Sequence, residues 1–138
     1  MKRITMLFML LLACFTGINA QQPAKTKAAV IKIAPFTEQE TKNVPGMTAG
    51  ISCSYTRKAN EQPFMVSVID GATIKINNKI VHLKNSKTTG RFTGEGYEVK
   101  VSIKKNKPDY DGPERGTVQI KDKSGAILKV NIWQSCEA

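Results

Sequence analysis

The sequence predicts an all-β domain, a small antiparallel barrel or sandwich of about seven strands closed by one disulfide. Three observations carry that prediction. Apolar and polar residues alternate with a period of two along nearly every run after residue 50. No window in that region combines a helical period with capping residues. Once a leader is set aside, the cysteines reduce to one pair, Cys53 and Cys136.

The leader is residues 1–20. Met1-Lys2-Arg3 supplies a charged start, Ile4 to Phe15 a short apolar run, and Ile18-Asn19-Ala20 a small-residue end before Gln21. That is the layout of a secretory signal peptide. The apolar run is shorter than the roughly 20 residues a membrane span needs. Leu11-Leu12-Ala13-Cys14 also resembles a lipobox, so a lipid anchor at Cys14 stands as the alternative to cleavage after Ala20. Either route exports the chain to the periplasm, the outer membrane or the exterior. In such an oxidising compartment Cys53 and Cys136 pair, and a bridge closing so long a loop is worth roughly 4.5 kcal/mol at most by chain entropy.

Residues 21–49 read as a tether or arm with at most one edge strand, Ala28 to Ile33. Pro23, Pro35 and Pro45 interrupt the segment, and Lys25, Lys27, Lys32, Glu38, Glu40 and Lys42 charge it. The compact domain is set at residues 50–138. Ile51 to Thr56 alternates, and Phe64, Val66 and Val68 form one side of the next run. Thr73 to Asn77 and Asn78 to Lys84 flank an Asn-Asn pair, a hairpin signal because Asn tolerates the positive φ of a tight turn. Gly90, Gly94 and Gly96 read as a flexible loop. Tyr97, Val99, Val101 and Ile103 alternate with Glu98, Lys100, Ser102 and Lys104. Val118 and Ile120 make another strand, Asp122 to Gly125 a turn, and Leu128, Val130 and Ile132 the last strand.

Catalytic parts are missing from this inventory. The one His, His82, sits between Val81 and Leu83 on a strand, with no second ligand beside it. No nucleophile elbow, phosphate loop or Ser–His–Asp set occurs. The sequence therefore predicts a binding protein without cofactor or metal, not an enzyme. Asp109, Asp111 and Glu114 cluster around Gly112 and could hold Ca²⁺. Their spacing is not that of a calcium loop, and Lys104, Lys105, Lys107 and Arg115 flank them, so a solvated turn is the preferred reading.

Loss of Lys2 and Arg3 lowers the formal net charge of +10 by two, which still leaves a strongly basic domain. Anionic partners follow from that charge. The lysines alternate with apolar residues on nearly every strand and few aromatics lie between them. A solvated sheet face explains this better than a nucleic-acid surface.

Residues 51–132 resemble the bacterial C-type lysozyme inhibitors, small exported β-barrels. The likeness runs through Cys53, the hairpin Ala72 to Leu83, Thr88 to Phe92, Tyr97, Gly116-Thr117-Val118, Lys121 to Leu128 and Cys136. Thr89-Gly90-Arg91-Phe92 stands where that family carries Ser-Gly-Xaa-Xaa-Tyr, with Thr for Ser and Phe one position early. The resemblance implies that Thr89 and Gly90 enter a lysozyme cleft. The family's second loop, Trp-Xaa-Lys-Gly, is replaced by residues 104–115, where Lys107 could take the part of its Lys. A basic protein meets a basic lysozyme against repulsion, and Glu95, Glu98, Asp109 and Asp111 could form a locally acidic edge. Residues 99–134 also resemble BACON-type immunoglobulin-like domains, through Asn106, Glu114 to Ile120 and Leu128 to Gln134. That likeness implies a sandwich that binds a glycan or an envelope component, with Trp133, Tyr55 and lysines as the surface.

Overall fold

A computed structural model describes residues 30–47, 51–105 and 112–137. The leader, Cys14, Lys107, Asp109 and Asp111 lie outside the described residues.

The strands are β1 (Ser52–Thr56), β2 (Met65–Val68), β3 (Gly71–Ile76), β4 (Lys79–Asn85), β5 (Arg91–Gly94), β6 (Tyr97–Lys104), β7 (Glu114–Lys121) and β8 (Ile127–Glu137). Each pairs antiparallel with the next, and β8 returns to β1, closing a barrel in the order β1-β2-β3-β4-β5-β6-β7-β8. The alternative architecture, a two-sheet sandwich, is not formed. The closing seam pairs Cys53 with Cys136 directly, and these two form the disulfide across 83 residues of sequence.

Eight strands enclose a bore that side chains can fill. Met65, Ile74, Val99, Val118 and Ile120 are each completely buried there. Tyr55, Phe64, Ala72, Ile76, Val81, Leu83, Phe92 and Ile132 belong to the same cluster. The alternation of β6 is the clearest case: Glu98, Lys100, Ser102 and Lys104 are exposed, while Val99 is buried.

The strand beyond the expected seven is β5, formed by the stretch read as a glycine-rich flexible loop. Gly94 pairs with Tyr97. A Cβ at Gly94 would lie 2.7 Å from the His82 carbonyl oxygen, so a close backbone approach, not flexibility, requires glycine there. Glu95 and Gly96, at φ 50° and 84°, make the tight turn to β6. The Asn77-Asn78 hairpin forms as expected, with φ 49° and 62°.

Residues 30–47 overturn the tether reading. Ile33 bridges Ile76, the Lys32 carbonyl accepts from Asn77 N, and Ile31 and Ile33 join the interior cluster. The chain then crosses the outside of the barrel as a strap. Phe36 and Val44 bury themselves against Val66 of β2, with Met47 and Ile80 at the edges. Phe36 N donates to the Pro63 carbonyl, and Ser52 Oγ donates to the Gly46 carbonyl, fastening both ends. The side of β2 that carries Val66 therefore faces outward, under the strap, while Met65 fills the bore. The same cover explains why β3 is buried at every position, including Thr73 and Lys75. Removing Phe36 and Val44 from water stabilises the strap by about 1.5–3 kcal/mol per side chain.

One helical turn, α1 (Glu38–Thr41), sits in the strap. Thr37 caps it: Thr37 Oγ1 accepts from Glu40 N at 3.2 Å and Glu40 Oε2 accepts from Thr37 N at 2.7 Å. Thr37-Glu38-Gln39-Glu40 is the Thr-Xaa-Xaa-Glu signature of such a box.

Candidate functional site

In a meander, connections alternate between the two ends of the barrel. The β2–β3 turn, the β4–β5 loop, the end of β6 and the start of β7 therefore come to one end, beside the start of β1. Thr89 and Gly90 lie in the β4–β5 loop, and Thr89 is exposed. The loop is tied by its backbone. Arg91 N donates to the Thr88 carbonyl, Ser86 N to the Arg91 carbonyl at 2.8 Å, and Val101 N to the Gly90 carbonyl at 2.7 Å. Gly90 has φ 77°, and a Cβ there would stand 2.8 Å from the Val101 carbonyl oxygen. Glycine is thus needed twice over, for the turn and for contact with β6.

Two exposed isoleucines accompany the loop at this end. Ile69, 84% exposed, forms the β2–β3 turn, and its carbonyl accepts from Asn85 Nδ2 at 2.7 Å, which joins that turn to the base of the β4–β5 loop. Ile51, 72% exposed, precedes β1. Sequence reasoning missed both; an apolar residue beside a polar turn was the available signal.

Of the expected acidic edge, the described members Glu95 and Glu98 are each engaged by another residue. Glu95 lies on the turn leading to the opposite end, and its Oε2 accepts from His82 N at 2.8 Å. Because β5 is short, that carboxylate takes the place of a strand partner for β4. Glu98 pairs with Arg91 at 3.1 Å. His82 is exposed, with Nδ1 3.2 Å from Thr73 Oγ1. Among the described residues, no group of three His, Cys, Asp or Glu could hold a metal ion. Glu114 opens β7.

A second surface lies on the wall of β7, β8 and β1. Trp133 pairs with Thr56 on one side and Arg115 on the other, and the Arg115 guanidinium carbon stands 4.0 Å from the ring centroid. Tyr55 does not join them. Strand parity turns it inward, where its hydroxyl meets Ser67 Oγ at 2.9 Å and accepts from Gln134 Nε2 at 3.1 Å. The turn that leads into β8 is held by Asp122, whose Oδ1 accepts from Ser124 N, Ser124 Oγ and Ala126 N. The Ser124 hydroxyl, followed by the backbone donors, holds the Asp122 carboxyl below its ordinary pKa.

No family model, curated protein or solved structure matches the chain.

Proposed function

We infer that the protein is an exported, non-catalytic binding protein that blocks a C-type lysozyme with the Thr88–Gly90 loop. One observation carries this reading: an exposed Thr-Gly tip is pinned by three backbone hydrogen bonds at one end of a side-chain-filled barrel. Such a loop loses little conformational entropy on binding, which favours insertion into a preformed cleft. Ile69 supplies an apolar contact next to it.

Mechanistically, the work is steric with a few hydrogen bonds. The Thr89 hydroxyl donates to a cleft carboxylate, and a lysine of the β6–β7 connection, Lys107, supplies a charge-assisted partner. The oxidised protein, titrated into hen-type lysozyme acting on a peptidoglycan suspension, inhibits near one-to-one stoichiometry. No inhibition at large molar excess would leave the likeness to lysozyme inhibitors without functional content.

A further inference from the structure

β8 is longer than the strand that closes the barrel on it. β1 ends at Thr56, opposite Trp133, so Ile127 to Ile132 have a strand partner only on the β7 side. At the base of the β7–β8 hairpin, Asp122 N donates to the Ala126 carbonyl. Bonded and non-bonded pairs alternate from there along the antiparallel ladder. Leu128, Val130 and Ile132 therefore direct their N–H and C=O groups at β7, and Ile127, Lys129 and Asn131 direct theirs away from it. No strand, loop or side chain among the described residues takes up those edge groups. The three residues are exposed. Where β1 departs from this edge, a cleft of about 400 Å³ is lined in part by Arg57, Asn131, Ile132 and Trp133. Nothing in Ile127–Ile132 breaks an added strand, since the stretch has no proline and no glycine.

We propose that the free edge of β8 binds an extended peptide segment of a partner protein as an added strand, with acidic and apolar residues alternating along it. Each feature of that ligand follows from the edge. An unpaired row of N–H and C=O groups is a template for another strand, and the main-chain bonds supply affinity. One flank of the added strand falls beside Leu128 and Val130, which are half-buried against the core, so that flank is apolar. The other flank meets Lys129 on the outer face. Lys121 lies across from Ile127 on that face, and Lys100 lies in one row with Gln119 and Lys129. Glu98, the carboxylate on the outer face of β6 and β7, is engaged with Arg91. Acidic residues of the ligand therefore meet a face of one sign. A second copy of the chain on this edge would instead set two basic faces side by side, which like charges oppose.

The full oxidised chain is titrated to millimolar concentration with a hexapeptide of alternating Glu and Val, capped at both ends, and amide exchange is read residue by residue by NMR. Directly opposite residues of an antiparallel pair share a face, so the peptide's Glu residues stand opposite Lys129 and Asn131 and turn their own N–H groups toward β8. The expected result is a gain in protection of about tenfold or more at the amides of Lys129 and Asn131. The amides of Leu128 and Val130, already bonded to β7, change little. N-methylation of the peptide at Glu abolishes the effect, and N-methylation at Val leaves it. A hexapeptide of Lys and Val binds about tenfold more weakly or not at all. Lys129→Pro, which removes an edge donor but no bond to β7, loses the response while keeping the melting temperature. Unchanged exchange at Lys129 and Asn131 overturns the proposal, as does equal binding of the peptide N-methylated at Glu or of the Lys peptide. Protection of the same two amides that rises with chain concentration and without peptide overturns it too, since a second copy then holds the edge.

Discussion

Lys75 Nζ lies 2.8 Å from Glu40 Oε2, an ion pair that joins the outer face of β3 to the helical turn of the strap, 35 residues earlier in the chain. The lysine side chain is 10% exposed and the glutamate 29%. The bond to Lys75 above all, then the backbone N–H of Thr37, holds the Glu40 carboxyl below its ordinary pKa of 4.5.

That shift fixes the sign of a pH effect. A carboxyl whose pKa is lowered by folding adds stability above its ordinary value, and the stability is lost as pH falls through the lowered value. Protection of the amides of residues 36–47 therefore declines as pH falls below the ordinary 4.5 and through the lowered value, ahead of the barrel strands. Hydrogen exchange across that range measures it, and added salt reduces the effect because Glu40 is partly exposed. Glu40→Gln flattens the profile. A pH-independent strap would show that the pair does not hold it.

Phe36 tests the strap from its apolar side. Phe36→Ala empties the centre of the outer cluster and costs about 3–5 kcal/mol in the docking of residues 36–47. Limited proteolysis then cuts within the strap while the barrel survives. Cleavage no faster than in the parent would mean that the strap is held by other contacts.

Two glycines separate space from backbone strain. Gly94→Ala drives a Cβ into the His82 carbonyl oxygen and destabilises by about 1–3 kcal/mol. Gly125, at φ 86° with nothing within 4 Å of its Cβ position, costs only the left-handed conformation, about 1 kcal/mol on replacement by Ala. Urea unfolding of the two variants measures the difference; Gly94→Ala behaving as mildly as Gly125→Ala would contradict the close approach of β5 to β4.

In the lysis assay, Thr89→Ala and Lys107→Ala each weaken inhibition by about tenfold, the worth of one charge-assisted hydrogen bond, with melting temperatures unchanged. Ile69→Asp weakens it through the neighbouring turn. Full inhibition by both Thr89→Ala and Lys107→Ala would place the inhibitory contact elsewhere on the barrel.

Much of this molecule is local in origin. Period-two alternation places Val99 inside and Lys100 outside whatever β6 pairs with, and Asn77-Asn78 makes its turn from two residues that accept positive φ. Two cysteines on the first and last strands meet once the strands pair in order. These features follow from the sequence by itself, whereas only the resemblance to lysozyme inhibitors singles out the Thr89-Gly90 loop.

Other features depend on neighbours distant in the chain. Phe36 and Val44 look like scattered apolar residues between prolines, because the surface that buries them, Val66 and Ile80, exists only when β2 and β4 flank β3. Gly94 looks like loop glycine until the His82 carbonyl closes on it. Tyr55 and Trp133 look like one aromatic patch, yet the registers Tyr55 with Gln134 and Thr56 with Trp133 send them to opposite faces. Glu95 and Glu98 look like one acidic edge until a short β5 gives the first to His82 and cross-strand geometry gives the second to Arg91. Alternation fixes which side of a strand is apolar; closure of the barrel decides what that side meets.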